Sequence, residues 1–171
     1  MATTRILSIE ETTLMQPART LTWNIDEVAA ALRIDAASVR EYFTDGRRVA
    51  FLIERRIARE EGHTLATSEG AAFDLLDRTG GKWEVRNITR SGIYFCPSYM
   101  VGSGRSFDTP GFLRKLAGIA GYIVTDIESF PVVPYWILQR ATVEAWWQAG
   151  LLGSTTKISR ERMMRLVQSL P

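Results

Sequence analysis

Phe73-Asp-Leu-Leu-Asp-Arg-Thr-Gly-Gly-Lys-Trp-Glu-Val-Arg86 sets two short apolar-rich runs on either side of Gly80-Gly81. Paired glycines between such runs predict a β-hairpin. Asp74 then lies on the first strand, while Glu84 and Arg86, two residues apart on the second, leave it on one face. Lys82 shares that face. The hairpin gathers two carboxylates and a cation at one point. Carboxylate pairs hold hard divalent ions such as Mg²⁺ through oxygen, and an adjacent cation polarises a phosphate or a water.

Upstream, the spacing over 49–61 predicts an amphipathic helix stopped by Gly62. Downstream, residues 92–98 predict a strand ended by Pro97, followed by the Gly-rich loop Val101-Gly-Ser-Gly-Arg105. A helix follows, capped by Asp108 or Thr109 with Pro110 at its start, and Phe112, Leu113, Leu116 and Ile119 form its apolar face. Tyr122 to Ile127 and Val132 to Leu138 read as strands, with Pro131 and Pro134 marking an edge or a bulge in the second. The fold class predicted is α/β (α+β): a mixed central sheet flanked by helices.

Asp74, nine residues, then Glu84-Val85-Arg86 resembles the motif of the PD-(D/E)xK nucleases, and among them the type II restriction endonucleases. The element order over residues 47–140 resembles the α-β-β-β-α-β core of that superfamily. The resemblance implies that Asp74 and Glu84 ligate Mg²⁺ with the Val85 carbonyl. It also implies that water attacks phosphorus in line, leaving 5′-phosphate and 3′-hydroxyl ends. The chain departs from the family at one place, where Arg86 replaces the usual Lys. A guanidinium stays protonated in proteins, so Arg86 is no general base, but it can steady the scissile phosphate. Lys82 is the alternative source of an ammonium. In this fold the first core helix can lend a third carboxylate, from Glu54, Glu60 or Glu61. Asp77 lies near the turn, where Asp is common for turn reasons, and Asp126 and Glu128 read as structural.

Residues 21–45 resemble a helix-turn-helix. Asn24 or Asp26 caps a first helix with Val28, Ala29 and Leu32 on its apolar face, and a turn at Ile34-Asp35 leads to a second with Val39, Tyr42 and Phe43 inward. In such motifs the second helix enters the DNA major groove. Ser38 and Arg40 would then face bases, and Arg47 and Arg48 phosphates; Arg105, in the Gly-rich loop, is a further DNA contact. The organisation expected is a helical lobe at 1–46, a nuclease core at 47–140, and C-terminal helices at 141–171.

In this 171-residue chain, 46% hydrophobic content suffices for a core, and a net charge of +2 neither requires nor excludes a nucleic-acid partner. Three of the 21 basic residues are Lys and the rest Arg. Cys96 alone gives no disulfide framework and no cysteine zinc site. His63 alone argues against a histidine-rich nuclease centre. No apolar run approaches the roughly 18 residues of a membrane span, and a bacterial cytoplasmic location is expected. In the tail, adjacent Trp146 and Trp147 suggest that one covers a partner subunit, consistent with a homodimer cutting both strands of double-stranded DNA. Two other classes remain open: a non-catalytic helix-turn-helix regulator on a degenerate core, and an interaction protein whose motif is accidental.

Overall fold

The computed structural model describes residues 19–68 and 71–170; residues 1–18 of the expected helical lobe lie outside them. At the centre is β6 (Gly121–Asp126), buried at every position, as an apolar strand covered on both faces must be. β4 (Lys82–Ile88) runs parallel to it, with Glu84 opposite Tyr122 and Val85 opposite Ile123. β3 (Leu75–Leu76) and β2 (Thr64–Leu65) extend the sheet antiparallel beyond β4. β7 (Val132–Gln139) and β1 (Arg19–Thr22) do so beyond β6. The sheet is mixed, in the order β1-β7-β6-β4-β3-β2. The fold is of the α/β class.

Two apolar layers lie against the sheet, because alternate strand residues point to opposite faces. Ile123, Trp83 and Val85 pack with α1 (Ile25–Leu32), α2 (Ala36–Thr44) and α3 (Gly46–Glu61) through Ala29, Val39, Phe43, Val49, Ile53 and Ile57. Tyr122, Val124 and Ile88 pack with α4 (Thr109–Ala117), α5 (Arg140–Gln148) and α6 (Arg160–Gln168) through Phe112, Leu116, Val143, Trp146 and Met163. A two-stranded sheet of β5 (Ile93–Tyr94) and β8 (Lys157–Ile158) completes the second layer. Over 47–140 the order is α3, β2-β3-β4, β5, α4, β6 and β7; the strand expected at 92–98 is only Ile93–Tyr94 and pairs with β8, outside the main sheet.

Helix ends follow their local chemistry. Asn24, Asp35, Asp45, Asp108 and Ser159 each accept backbone N–H groups at an N-terminus, and Gly62 closes α3 in the left-handed region. Asp77 shapes the hairpin turn: its Oδ1 accepts from the Thr79 and Gly81 N–H groups at 2.8 Å, and its Oδ2 accepts from the Trp83 indole, also at 2.8 Å. The Trp83 bond first, then Thr79 and Gly81, hold this carboxyl well below its ordinary range. Gly121 begins β6 where a Cβ would lie 2.0 Å from the Leu138 carbonyl oxygen and 2.8 Å from the Trp83 ring. Only glycine lets β4, β6 and β7 close there.

Several expectations differ from the structure. Pro134 does not mark an edge, because β1 pairs with β7 and sets Thr20 opposite it. The Arg19-Thr-Leu-Thr run that forms β1 buries only Leu21, too little pattern to announce a strand. Trp146 and Trp147 both serve one core: Trp146 is buried and Trp147 packs against Phe107 and Phe112. The tryptophan pair therefore offers no argument for a partner subunit. Leu32, Tyr42 and Leu113, expected inward, are exposed. Among the described residues no helix is long and apolar enough to cross a membrane.

Candidate active site

β3 pairs with β4 only through Leu75 and Leu76, so beyond Trp83 the edge of β4 needs another partner. Asp74 provides it. Its own N–H donates to the Trp83 carbonyl at 2.9 Å, and its Oδ2 accepts the Val85 N–H at 2.8 Å. A side-chain carboxylate thus continues the ladder that the strand abandons and is held against Glu84-Val85-Arg86. Oδ1 of Asp74 has no partner among the described residues.

Glu84 is only 4% exposed, and a buried carboxylate requires paired charge. Two cations supply it. Arg86 places Nη2 at 2.6 Å from Glu84 Oε2 and Nη1 at 4.0 Å from Asp74 Oδ2, and also donates to the Val85 carbonyl at 3.2 Å. Lys115, reaching across from α4, donates to Glu84 Oε1 and to the Ala72 carbonyl. Arg86 Nε is buried with no hydrogen-bond partner among the described residues.

Burial foremost, then repulsion from Glu84, raises the Asp74 carboxyl; the Val85 N–H, Arg86 and Lys115 oppose the rise. Burial acts to lower Arg86, but Glu84 and Asp74 outweigh it and hold the guanidinium above its ordinary value. Glu54 on α3 belongs to the same field. Burial first and Asp74 second push it up to about 7.

Three hollows converge on Asp74. One of about 590 Å³ runs past Glu84, Arg86 and Lys115 to Tyr99 and Arg114. Another of about 620 Å³ lies between α3 and β4, lined by Arg47, Glu54, Arg86 and Lys157. The third, of about 320 Å³, lies between α3 and the segment before β3. The centre is the junction of a cleft with cationic walls.

The structure brings together Asp74, Glu84, Val85 and Arg86 from the sequence reading. Glu54 faces the centre; Glu60 pairs with Arg56 at 2.8 Å, and Glu61 is taken by Arg19 and Tyr135. Lys82 is exposed with its ammonium 5.4 Å over the Phe73 ring, and the ammonium at Glu84 belongs to Lys115 instead. The missed signal was the spacing: Phe112, Lys115, Leu116 and Ile119 form the i, i+3, i+4, i+7 stripe, so a lysine occupies the position that Leu113 was expected to fill.

Of the residues read as DNA contacts, Arg47 alone lines the cleft. The Ser38 hydroxyl donates to Asp35 at 3.0 Å within the α2 cap. Arg40 donates to the Phe130 carbonyl and stands 5.8 Å over its ring, tying α2 to the turn before β7. Arg48 lies 3.4 Å from Asp45 and 3.6 Å from Glu41. Arg105 closes its own loop, donating to the Ser98 and Val101 carbonyls at 2.9 and 3.2 Å.

Among the described residues no group of three or more His, Cys, Asp or Glu side chains is placed to hold a metal. The donors at the centre are two carboxylates and a backbone carbonyl. That all-oxygen set fits one hard cation completed by water and substrate, with Asp74 Oδ1 available and Glu84 released by displacing an ammonium. No protein-family model and no curated protein matches the chain.

Proposed function

We propose that this protein is a Mg²⁺-dependent DNA endonuclease of the PD-(D/E)xK type, acting on double-stranded DNA in the manner of a type II restriction enzyme. One observation carries the reading: Asp74 and Glu84 are held together at the open end of β3 and β4, with the Lys115 ammonium on Glu84. The parallel β4–β6 pair beside an antiparallel β2-β3-β4 run supports it further.

Asp74, Glu84 and the Val85 carbonyl would hold the ion. Bound Mg²⁺ supplies Lewis acidity at the phosphodiester and makes water a stronger nucleophile. The chain's own groups do the rest. Arg86, pinned between the two carboxylates, presents a permanent positive charge to the phosphate oxygens as charge develops there. Lys115 takes the role left by the strand lysine, orienting the attacking water with an ammonium delivered from α4. Arg47, Arg114 and Lys157 on the cleft walls attract the DNA backbone. A homodimer in the bacterial cytoplasm belongs to this proposal.

A second reading has its own support. Both Glu84 oxygens are occupied by cations and Arg86 replaces the family's lysine, as suits a DNA-binding protein that has lost catalysis. Unmethylated phage DNA incubated with the protein, with Mg²⁺ or with EDTA, separates the two. Discrete Mg²⁺-dependent fragments that vanish with Asp74→Ala or Glu84→Ala, while DNA binding persists, are the expected result. Intact DNA shifted on a gel under both conditions would leave the binding protein, and cutting retained by either variant would remove these carboxylates from the chemistry.

A further inference from the structure

We infer that the smallest of the three hollows seats one unstacked nucleotide of the DNA strand, immediately beside the phosphodiester at Asp74. The inference rests on the nuclease reading and narrows its substrate to DNA with a base turned out of the helix. Phe51 on α3 is 53% exposed, a large apolar ring left in water on the helix face away from the buried Val49, Ile53 and Ile57. It lines the hollow together with Phe73, while Arg47 and Arg55 supply positive charge. The Arg55 guanidinium lies 3.9 Å over the Phe51 ring centroid, so the cation stacks on one face of the ring and the pair forms a preassembled platform for a further flat group. Bases stack on such surfaces whatever their identity, and a guanidinium adds attraction for the phosphate that follows.

Size and position favour this occupant. About 320 Å³ is at the lower end of small-ligand pockets, which start near ~300 Å³, and gives room for a single nucleotide rather than a duplex. Asp74 belongs to the same lining, so a base seated there would place its phosphate next to Glu84 and Arg86. Glu54, also on this wall, offers a carboxyl to the polar edge of the base. A hydrophobic ligand would gain nothing from two arginines, and a free phosphate would gain nothing from an exposed phenylalanine.

The test uses the full chain in EDTA, so that nothing is cut, and fluorescence anisotropy with labelled oligothymidylate. A second probe carries one internal abasic site, and a third is a fully paired duplex. Phe51→Ala, which removes an exposed ring and leaves the core alone, is expected to bind oligothymidylate about ten-fold more weakly, and Phe51→Trp to restore it. The abasic probe should lose affinity for the wild type but little for Phe51→Ala, because the ring no longer has a base to meet. Equal binding of oligothymidylate by wild type and Phe51→Ala, alongside intact Mg²⁺-dependent cutting of duplex DNA, would overturn the nucleotide seat and leave the nuclease reading standing. Failure of the wild type to bind any of the three probes at low salt, together with no cutting of duplex DNA in Mg²⁺, would remove both.

Discussion

Lys115 is the residue on which the proposed chemistry would turn. Its ammonium is carried by α4, yet it ends on a carboxylate of β4. Lys115→Gln keeps much of the length and can still donate to the Ala72 carbonyl, so the fold should survive. Cutting at saturating DNA and Mg²⁺ is expected to fall about 100-fold, the usual loss for one charged transition-state contact, with DNA affinity little changed. An unaltered rate would reduce Lys115 to a structural tie. Glu54 makes a prediction of its own. In the fold its carboxyl titrates at about 7, against an ordinary 4.5, so the native chain keeps a proton that the unfolded chain releases. The stability associated with that proton is complete below pH 4.5 and is lost as pH rises to 7. Glu54→Gln, neutral throughout, should therefore gain about 1 kcal/mol on wild type between pH 4.5 and pH 8, after discount for partial exposure and coupling to Asp74. Urea midpoints at the two pH values measure it; parallel profiles would dismiss the shift.

At the scale of elements, the hairpin shows what a sequence can and cannot announce. Gly80-Gly81 and the spacing of Asp74, Glu84 and Arg86 were legible because turns and strand alternation are local rules. β3, however, is two residues long, and Asp74 precedes it, taking the place of a strand residue through its side chain. That substitution depends on where β4 ends up, which no local pattern encodes. Lys115 and Glu54 were obscure for the same reason: each sits on a helix, and its role depends on a partner distant in sequence. The β-branched run of β6 and the apolar run of β7 were readable as strands, but the closure of their common end was not. Gly121 sets it, and Gly121→Ala would drive a methyl group into the Leu138 carbonyl and the Trp83 ring. A loss of about 2–4 kcal/mol is expected, read as a fall in urea midpoint. A change within error would mean that β6 can slide to make room.

For the molecule as a whole, the two apolar layers are filled by the chain's own side chains, and the candidate centre is likewise furnished from within. Asp74 and Glu84 meet Arg86 and Lys115, so folding needs no metal to keep the acids from repelling. In the absence of added Mg²⁺, exhaustive EDTA treatment should leave Tm within about 1 °C of the untreated protein, because the acids are already neutralised from within. A collapse in Tm would identify a structural ion. The Lys115 tether has a further consequence, for which ions the site admits. Any visitor to Glu84 must displace an ammonium that is covalently anchored a few ångströms away and always ready to return. A sodium or potassium ion brings no more charge than the group it would replace and has to give up its own hydration to do so. A divalent ion brings twice the charge to the same two carboxylates. If the site takes the proposed Mg²⁺, the lysine would be a standing competitor that sorts solutes by valence, favouring divalent over monovalent ions.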